Sequence, residues 1–189
     1  MRVYSYVVTH DYGFAPNPFG GMLTLATCKP KIRAQAAAGD WVMGTGSTSG
    51  IGQDRLLFAG CVSEVVSLAE YGSSERFQSK VPRVSSSEWQ QRGDNIYVCS
   101  ASGHWSQRRN PFHGKAQMVH DLSGLNVLVC ERFWYFGGNA KQIPARFMSL
   151  VKRGPAHKHN IGNPAVPDFL TWLQGFESGR HGEPSGAVT

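Results

Sequence analysis

The chain of 189 residues is 41% hydrophobic, 11% aromatic and 17% charged, with a net charge of +6. This composition excludes a disordered chain and a coiled coil, and the length suits one domain with a proper hydrophobic core. No apolar run reaches the ~20 residues of a membrane span, and residues 2–8 read as a strand rather than a secretory signal, which predicts a cytoplasmic protein.

In chain order, residues 2–9 form a strand that is apolar on both faces and therefore central. Residues 11–21, rich in Gly, Pro, Asn and Asp, form a loop. A strand over 22–28 follows. Pro30 then opens a helix over 31–38, which Gly39 ends, and a strand runs over 41–44. A Gly/Ser/Thr loop extends to Gly52. Residues 56–68 carry the strongest strand pattern and exceed an ordinary strand, so the interior Gly60 predicts a bend or bulge. Residues 69–93 are polar and predict a short helix or an irregular excursion. A short strand over 96–99, a long loop over 100–114 and a strand over 127–136 come next. A helical turn over 145–151 and a basic loop over 152–167 complete the middle of the chain. Pro167 and Asp168 start an amphipathic helix whose apolar positions are Phe169, Leu170, Trp172, Leu173 and Phe176. The β-α alternation of a doubly wound sheet is absent. The expected fold is α+β: a small, curved, mainly antiparallel, barrel-like sheet with short helices. One domain over 1–178 and a flexible tail over 179–189 are expected.

Charge placement points to a partner class. Between Asn95 and Pro167 the net charge is +7, against −1 for the remainder. Such segregation predicts a polyanion, nucleic acid or a nucleotide, as partner. Cys28, Cys61, Cys99 and Cys130 form no CxxC or CxxH pair and each sits in or beside an apolar run, so all four read as reduced core residues. Gly44 to Gly52 lacks the Gly-Lys-Ser/Thr of a phosphate loop. No Gly-x-Ser-x-Gly elbow occurs. His157 and His159 fall on one face of a strand without an evident third ligand. No metal, cofactor or catalytic residue is therefore assigned, and binding is favoured over catalysis.

Three clusters carry candidate recognition chemistry. Asp11 and Asn17 lie on a loop stiffened by Pro16 and Pro18, an arrangement suited to presenting hydrogen-bonding groups to a base edge. Lys29, Lys31 and Arg33 crowd a helix start, where cations oppose the helix dipole and are better tolerated facing phosphate. Trp41 follows Asp40, which suits a turn cap. Phe133, Trp134, Tyr135 and Phe136 occupy both faces of a strand, so that one face can stack a base. The loop with Lys152, Arg153 and Lys158 resembles a phosphate-tracking segment. Arg33, Lys152 and Lys158 are expected to border one positive concavity.

The runs Asp11 to Asn17, Thr24 to Arg33 and Gly39 to Gly46, with Phe133 to Gly137 and Gly154 to Asn160, resemble the second nucleotide modification associated domain family across roughly residues 2–175. The resemblance implies a phage or bacterial setting in which modified bases are made or handled. The order of helix, Gly-Asp-Trp-Val strand, glycine loop and long strand also resembles PUA-like barrels such as EVE domains, which bind modified bases in a pocket. The leading expectation is a nucleotide- or base-binding module. Asp11, Asn17, Trp41, Trp134 and Tyr135 would meet the base, and Lys29, Lys31, Arg33, Lys152, Arg153 and Lys158 the phosphates. The rivals are an enzyme acting on a nucleotide, with Asp11, Asp40 or a histidine as acid–base group, and a protein-interaction component of a defence system.

Overall fold

A computed structural model describes residues 1–188. The first half of the chain contains β1 (Val3–Val7), β2 (Leu23–Leu25), α1 (Pro30–Gln35), β3 (Trp41–Thr45), β4 (Arg55–Cys61), β5 (Glu64–Ser67), α2 (Leu68–Ser73) and α3 (Glu88–Gln91). The second half contains β6 (Tyr97–Cys99), β7 (Trp105–Gln107), α4 (Lys115–Leu122), β8 (Asn126–Cys130), β9 (Arg132–Tyr135), β10 (Lys141–Gln142), β11 (His157–His159), α5 (Val166–Gln174) and β12 (Gly179–Arg180). Single 3-10 segments occupy Glu75–Lys80, Gly137–Asn139 and Ala145–Leu150.

The main sheet runs β11-β1-β3-β4-β9-β12, with β10 beside β4; a second sheet runs β2-β8-β5, and β6-β7 is a separate hairpin. Among the described residues only β1/β3 and β9/β12 pair in parallel. The fold is therefore mixed α+β, with β1 not at the centre of the sheet but next to its edge, paired on both sides by β11 and β3 as its two-sided hydrophobicity requires. The barrel-like expectation is corrected: β11 and β12 are free edges of an open sheet, and among the described residues no sheet closes on itself.

The long strand predicted over 56–68 exists as a bent ribbon. Phe58 to Cys61 of β4 pair with Tyr135 to Arg132 of β9, and Glu64 to Ser67 of β5 pair with Val129 to Asn126 of β8, in one continued register. The bend lies at Val62 and Ser63, opposite Glu131. There the Val62 N–H turns out to donate to the Asp40 carbonyl at 2.8 Å, and the Glu131 N–H donates to Ser63 Oγ at 3.0 Å. The strand predicted over 127–136 bends at the same place. Gly60 is not the corner: it pairs in register with Val42 and Phe133. A Cβ there would come within 2.9 Å of Cys130 Sγ, so close packing of β8, not the bend, requires the glycine.

Each sheet face buries what its period-2 pattern exposes. Val3, Trp41, Ala59 and Trp134 pack against Phe169 and Leu173 of α5. Tyr4, Tyr6, Val42 and Tyr135 pack against Leu25, Leu128 and Ile32 of β2, β8 and α1. The far side of the second sheet, Val66, Val127 and Val129, is covered by Tyr71, Phe77 and Tyr97. Each large apolar side chain so buried stabilises the fold by roughly 1.5–3 kcal/mol. Helix α1 ends at Gln35 because Ala36 turns extended. Helix α4 escaped prediction because its stretch has no clear apolar period: only Asp121 is buried and Val119 is 80% exposed. No helix of the described residues is long and apolar enough to cross a membrane.

The segment expected as a flexible tail is instead hydrogen-bonded into the fold. Gly179 and Arg180 pair with Trp134 and Tyr135. Gly138 N–H donates to the Glu183 carbonyl, Gly186 N–H to the Asp11 carbonyl, and Ser185 N–H to Asp11 Oδ2.

Candidate functional site

At one end of the main sheet, β1, the loop after it, the start of α1 and the residues flanking His113 enclose a cleft of about 850 Å³. One wall is aromatic: His10 stacks on Tyr12 (centroids 5.7 Å apart), and Tyr12 on Phe112 (5.2 Å). The lining also includes Lys29, Lys31 and His157. Lys29 lies half-buried with Nζ 4.7 Å from the Tyr6 ring centroid; burial lowers its pKa. Tyr6 borders the cleft, and its hydroxyl is buried and, among the described residues, has no hydrogen-bond partner. His157 and His159 share one face of β11 with their Nε2 atoms 2.8 Å apart. The pKa of His157 is lowered by burial, then by His159, Lys31 and Lys29.

In the cleft Cys28, His113 and Asp121 meet. Cys28 Sγ lies 3.6 Å from His113 Nε2, and His113 Nδ1 lies 2.7 Å from Asp121 Oδ2. Asp121 is fully buried, and also accepts from the Tyr97 hydroxyl and from the Cys28 N–H, each at 2.7 Å. Burial alone would raise its pKa, but the hydrogen bonds from His113 and Tyr97 outweigh burial and hold it below the usual carboxylate value. Burial alone would lower the pKa of His113, but its hydrogen bonds to Asp121 and Cys28 outweigh this and raise it to about 9. An imidazole with one nitrogen on a buried carboxylate and the other on a thiol has the layout of a nucleophile, a base and an orienting group.

Local sequence explains the placement. Cys28 and Lys29 both occupy the left-handed region, at φ of 56° and 40°, which turns the chain sharply before Pro30 sets the first turn of α1. Side chains rarely hold that region, and such strain persists where surrounding contacts over-determine it. Arg33 supplies those contacts: it is fully buried, and its guanidinium donates to the carbonyls of Cys28, Gly124, Asn126 and Asp121. It thus ties the Cys28 turn to the end of α4. Asn110 fixes His113, accepting from the Phe112 and His113 N–H groups and donating to the His113 carbonyl. Gln107 donates to the same carbonyl at 2.7 Å.

Cys28, His113 and Asp121 are also the one group of at least three His, Cys, Asp or Glu donors, among the described residues, spaced for a metal ion. The donor set fits a metal incompletely. An ion on Cys28 Sγ and His113 Nε2 would leave Asp121 behind the imidazole as its Nδ1 partner, so the protein would offer two ligands where catalytic zinc takes three.

The residues predicted from sequence are dispersed by the fold. Trp41 and Trp134 are 3% and 2% exposed and stack on each other at 5.9 Å, so neither indole faces a ligand. The Tyr135 hydroxyl donates to Asp11 beneath the C-terminal segment, outside the cleft. Burial raises the pKa of Asp11 despite that bond. Asn17 is buried, accepting from Lys80 Nζ at 2.8 Å and donating to the carbonyls of Gly13 and Arg92. Asp40 pairs with Arg2 at 2.7 Å and accepts from the Ala37 N–H, so it is a cap. Of the predicted cations, Lys29 and Lys31 line the cleft and Arg33 is structural. Lys158 pairs in register with Ser5 while His157 pairs with Tyr6, which puts Lys158 on the sheet face away from the cleft. Lys152 Nζ donates to the Arg153 carbonyl, and Lys158 Nζ to the Ser149 carbonyl. The expected single concavity of Arg33, Lys152 and Lys158 is therefore corrected. Of the four free cysteines only Cys130 is buried, so Cys28 leaves the core assignment. The missed signal was a cysteine beside two lysines, with a histidine on a loop far along the chain.

A family model described as nucleotide modification associated domain 2 matches residues 1–189. No curated protein and no solved structure matches the chain.

Proposed function

We propose that this chain, which belongs along its whole length to the nucleotide modification associated domain 2 family, binds a nucleotide, free or within nucleic acid, in the cleft beside β1. Family membership ties the chain to nucleotide modification. The carrying observation is the cleft itself: the aromatic ladder of His10, Tyr12 and Phe112 and the cations Lys29 and Lys31 line the same space of about 850 Å³. Ring faces stack a base and lysines meet phosphate. The volume lies within the range of ordinary ligand pockets, ~300–1,000 Å³. This site replaces the one read from sequence: the phosphate role stays with Lys29 and Lys31, and the base role moves from the tryptophans to the loop aromatics.

The test is calorimetric titration with the four 2′-deoxynucleoside 5′-monophosphates and a short single-stranded oligonucleotide, at two salt concentrations. Binding that weakens with salt, and more than tenfold weaker binding by Tyr12→Ala, agree with a stacked base above phosphate contacts; the stacking loss corresponds to ~1–3 kcal/mol. No binding of any of these at low salt overturns the reading.

A further inference from the structure

We infer that the cleft is also an active site in which Cys28 is a covalent nucleophile, His113 its base and Asp121 the positioning residue. The inference rests on the proposal that the cleft takes a nucleotide, and adds that the nucleotide reacts there. Three independent features converge. The first is the chain of contacts from Sγ to Nε2 at 3.6 Å and from Nδ1 to the buried carboxylate at 2.7 Å. Such spacings are commonly loose before substrate binds. The second is that one carboxylate holds both partners, since Asp121 bonds the Cys28 N–H as well as the His113 ring. The third is the left-handed backbone at Cys28 and Lys29, held by buried Arg33 where Cys28 lines the cleft. A thiol that served only to pack would need none of them.

The chemistry follows from the pair. Cys28 Sγ, as the thiolate whose proton rests on His113 Nε2, attacks an sp² carbon of the bound nucleotide that carries a nitrogen leaving group, an amide- or amidine-type carbon of the base or its substituent. The S–C bond forms as the π pair of the C=O or C=N bond moves onto its heteroatom. That pair returns as the C–N bond breaks, and the departing nitrogen takes the C–N electrons and the proton from His113. Water then adds to the thioester-type carbon and gives its proton to His113. The C–S bond breaks, and the sulfur leaves with that electron pair as the thiolate while His113 keeps the proton. An amine in place of water gives transfer instead of hydrolysis.

The test is iodoacetamide labelling of the whole protein at pH 7.5, read by peptide mass spectrometry, with the half-buried Cys61 and Cys99 as internal references. Cys28 should label at least about tenfold faster than either, because a neighbouring base raises its reactive thiolate fraction. His113→Asn, and His113→Gln as a second variant, should bring it to within about twofold of Cys99, and Asp121→Asn should slow it relative to Cys99. A reference-like rate for Cys28 in the unaltered protein overturns the nucleophile. So does bound zinc at one equivalent that must be removed by chelation before Cys28 reacts, since the group would then be a metal site. Adding 2′-deoxynucleoside 5′-monophosphates separates the two ideas. Fast labelling without protection leaves the nucleophile standing and counts against nucleotide binding. Protection of a slow Cys28 leaves binding standing and overturns the nucleophile.

Discussion

Strand β9 and the cleft wall are equally aromatic, yet they use their rings oppositely. Phe133, Trp134, Tyr135 and Phe136 lie between β4 and β12, with one hydrophobic cluster above and another below, so every ring is buried. His10, Tyr12 and Phe112 lie on loops at the end of the sheet, stack on one another and line the cleft. The cations divide in the same way. Arg33 is fully buried and bonded to four carbonyls, while Lys31, two residues earlier, is exposed at the cleft rim. Residue type thus marks what a side chain can do, and position relative to the ends of elements decides whether it meets a ligand or the core.

The largest effect that would test this division is Trp134→Ala. It removes the stack on Trp41 and the 2.9 Å bond from Trp134 Nε1 to the Phe176 carbonyl. It should cost about 3–5 kcal/mol in urea unfolding, while the folded fraction binds nucleotide as before. Specific loss of binding without loss of stability would return Trp134 to the ligand site. Next comes Arg33→Met, which strands four buried carbonyl groups. A loss of about 3 kcal/mol is expected, accompanied by slower Cys28 labelling, because the same guanidinium holds the Cys28 turn. An Arg33→Met protein of unchanged stability but weakened nucleotide binding would make Arg33 a phosphate ligand after all.

A smaller effect is pH-dependent. The pKa of His113 is raised from 6.5 to about 9 in the folded state. Its stabilising contribution is therefore complete below pH 6.5 and is lost as pH rises through 9. Relative to His113→Asn, the unaltered protein should lose on the order of 2 kcal/mol across that window, measured as the difference in unfolding free energy. Buried Lys80, lowered to about 8 chiefly by burial, acts with the opposite sign: its cost is complete below pH 8 and fades as pH rises toward 10.5. Comparing protein with variant cancels it. A difference that does not change with pH would show that His113 is not held by Asp121.

The smallest stability effect belongs to Lys31→Ala, which should move unfolding by less than about 0.5 kcal/mol at so exposed a site. It should weaken nucleic-acid binding similarly across sequences and lower the salt slope by about one. If Lys158→Ala does the same, the face of the sheet away from the cleft also carries phosphate.

Local signals accounted for much of the architecture. Val3 to Val7 announced a strand paired on both sides by carrying apolar residues on both faces, and the α5 stripe of Phe169, Trp172 and Leu173 announced the helix that covers the main sheet. The bent ribbon was visible in the length of the apolar run from Leu56, because hydrophobic patterning acts within a few residues. Its corner was not, since the Asp40 carbonyl that draws away the Val62 N–H is more than twenty positions upstream.

The candidate site was legible only in fragments. Lys29 and Lys31 stood out as cations at a helix start, but Cys28 resembled any apolar-run cysteine, and His113 any loop histidine. What the sequence by itself determined was the α+β class, the strand paired on both sides, the amphipathic closing helix and the family. All of these rest on periodicity or on motifs contiguous in the chain. What only the tertiary structure decided was which polar side chains converge. Asp121 bonds a backbone group 93 residues away and an imidazole 8 residues away, and buried Arg33 holds the carbonyls around them in place. A buried carboxylate gains its strength from partners brought out of water together, and that gathering is a property of the packed fold.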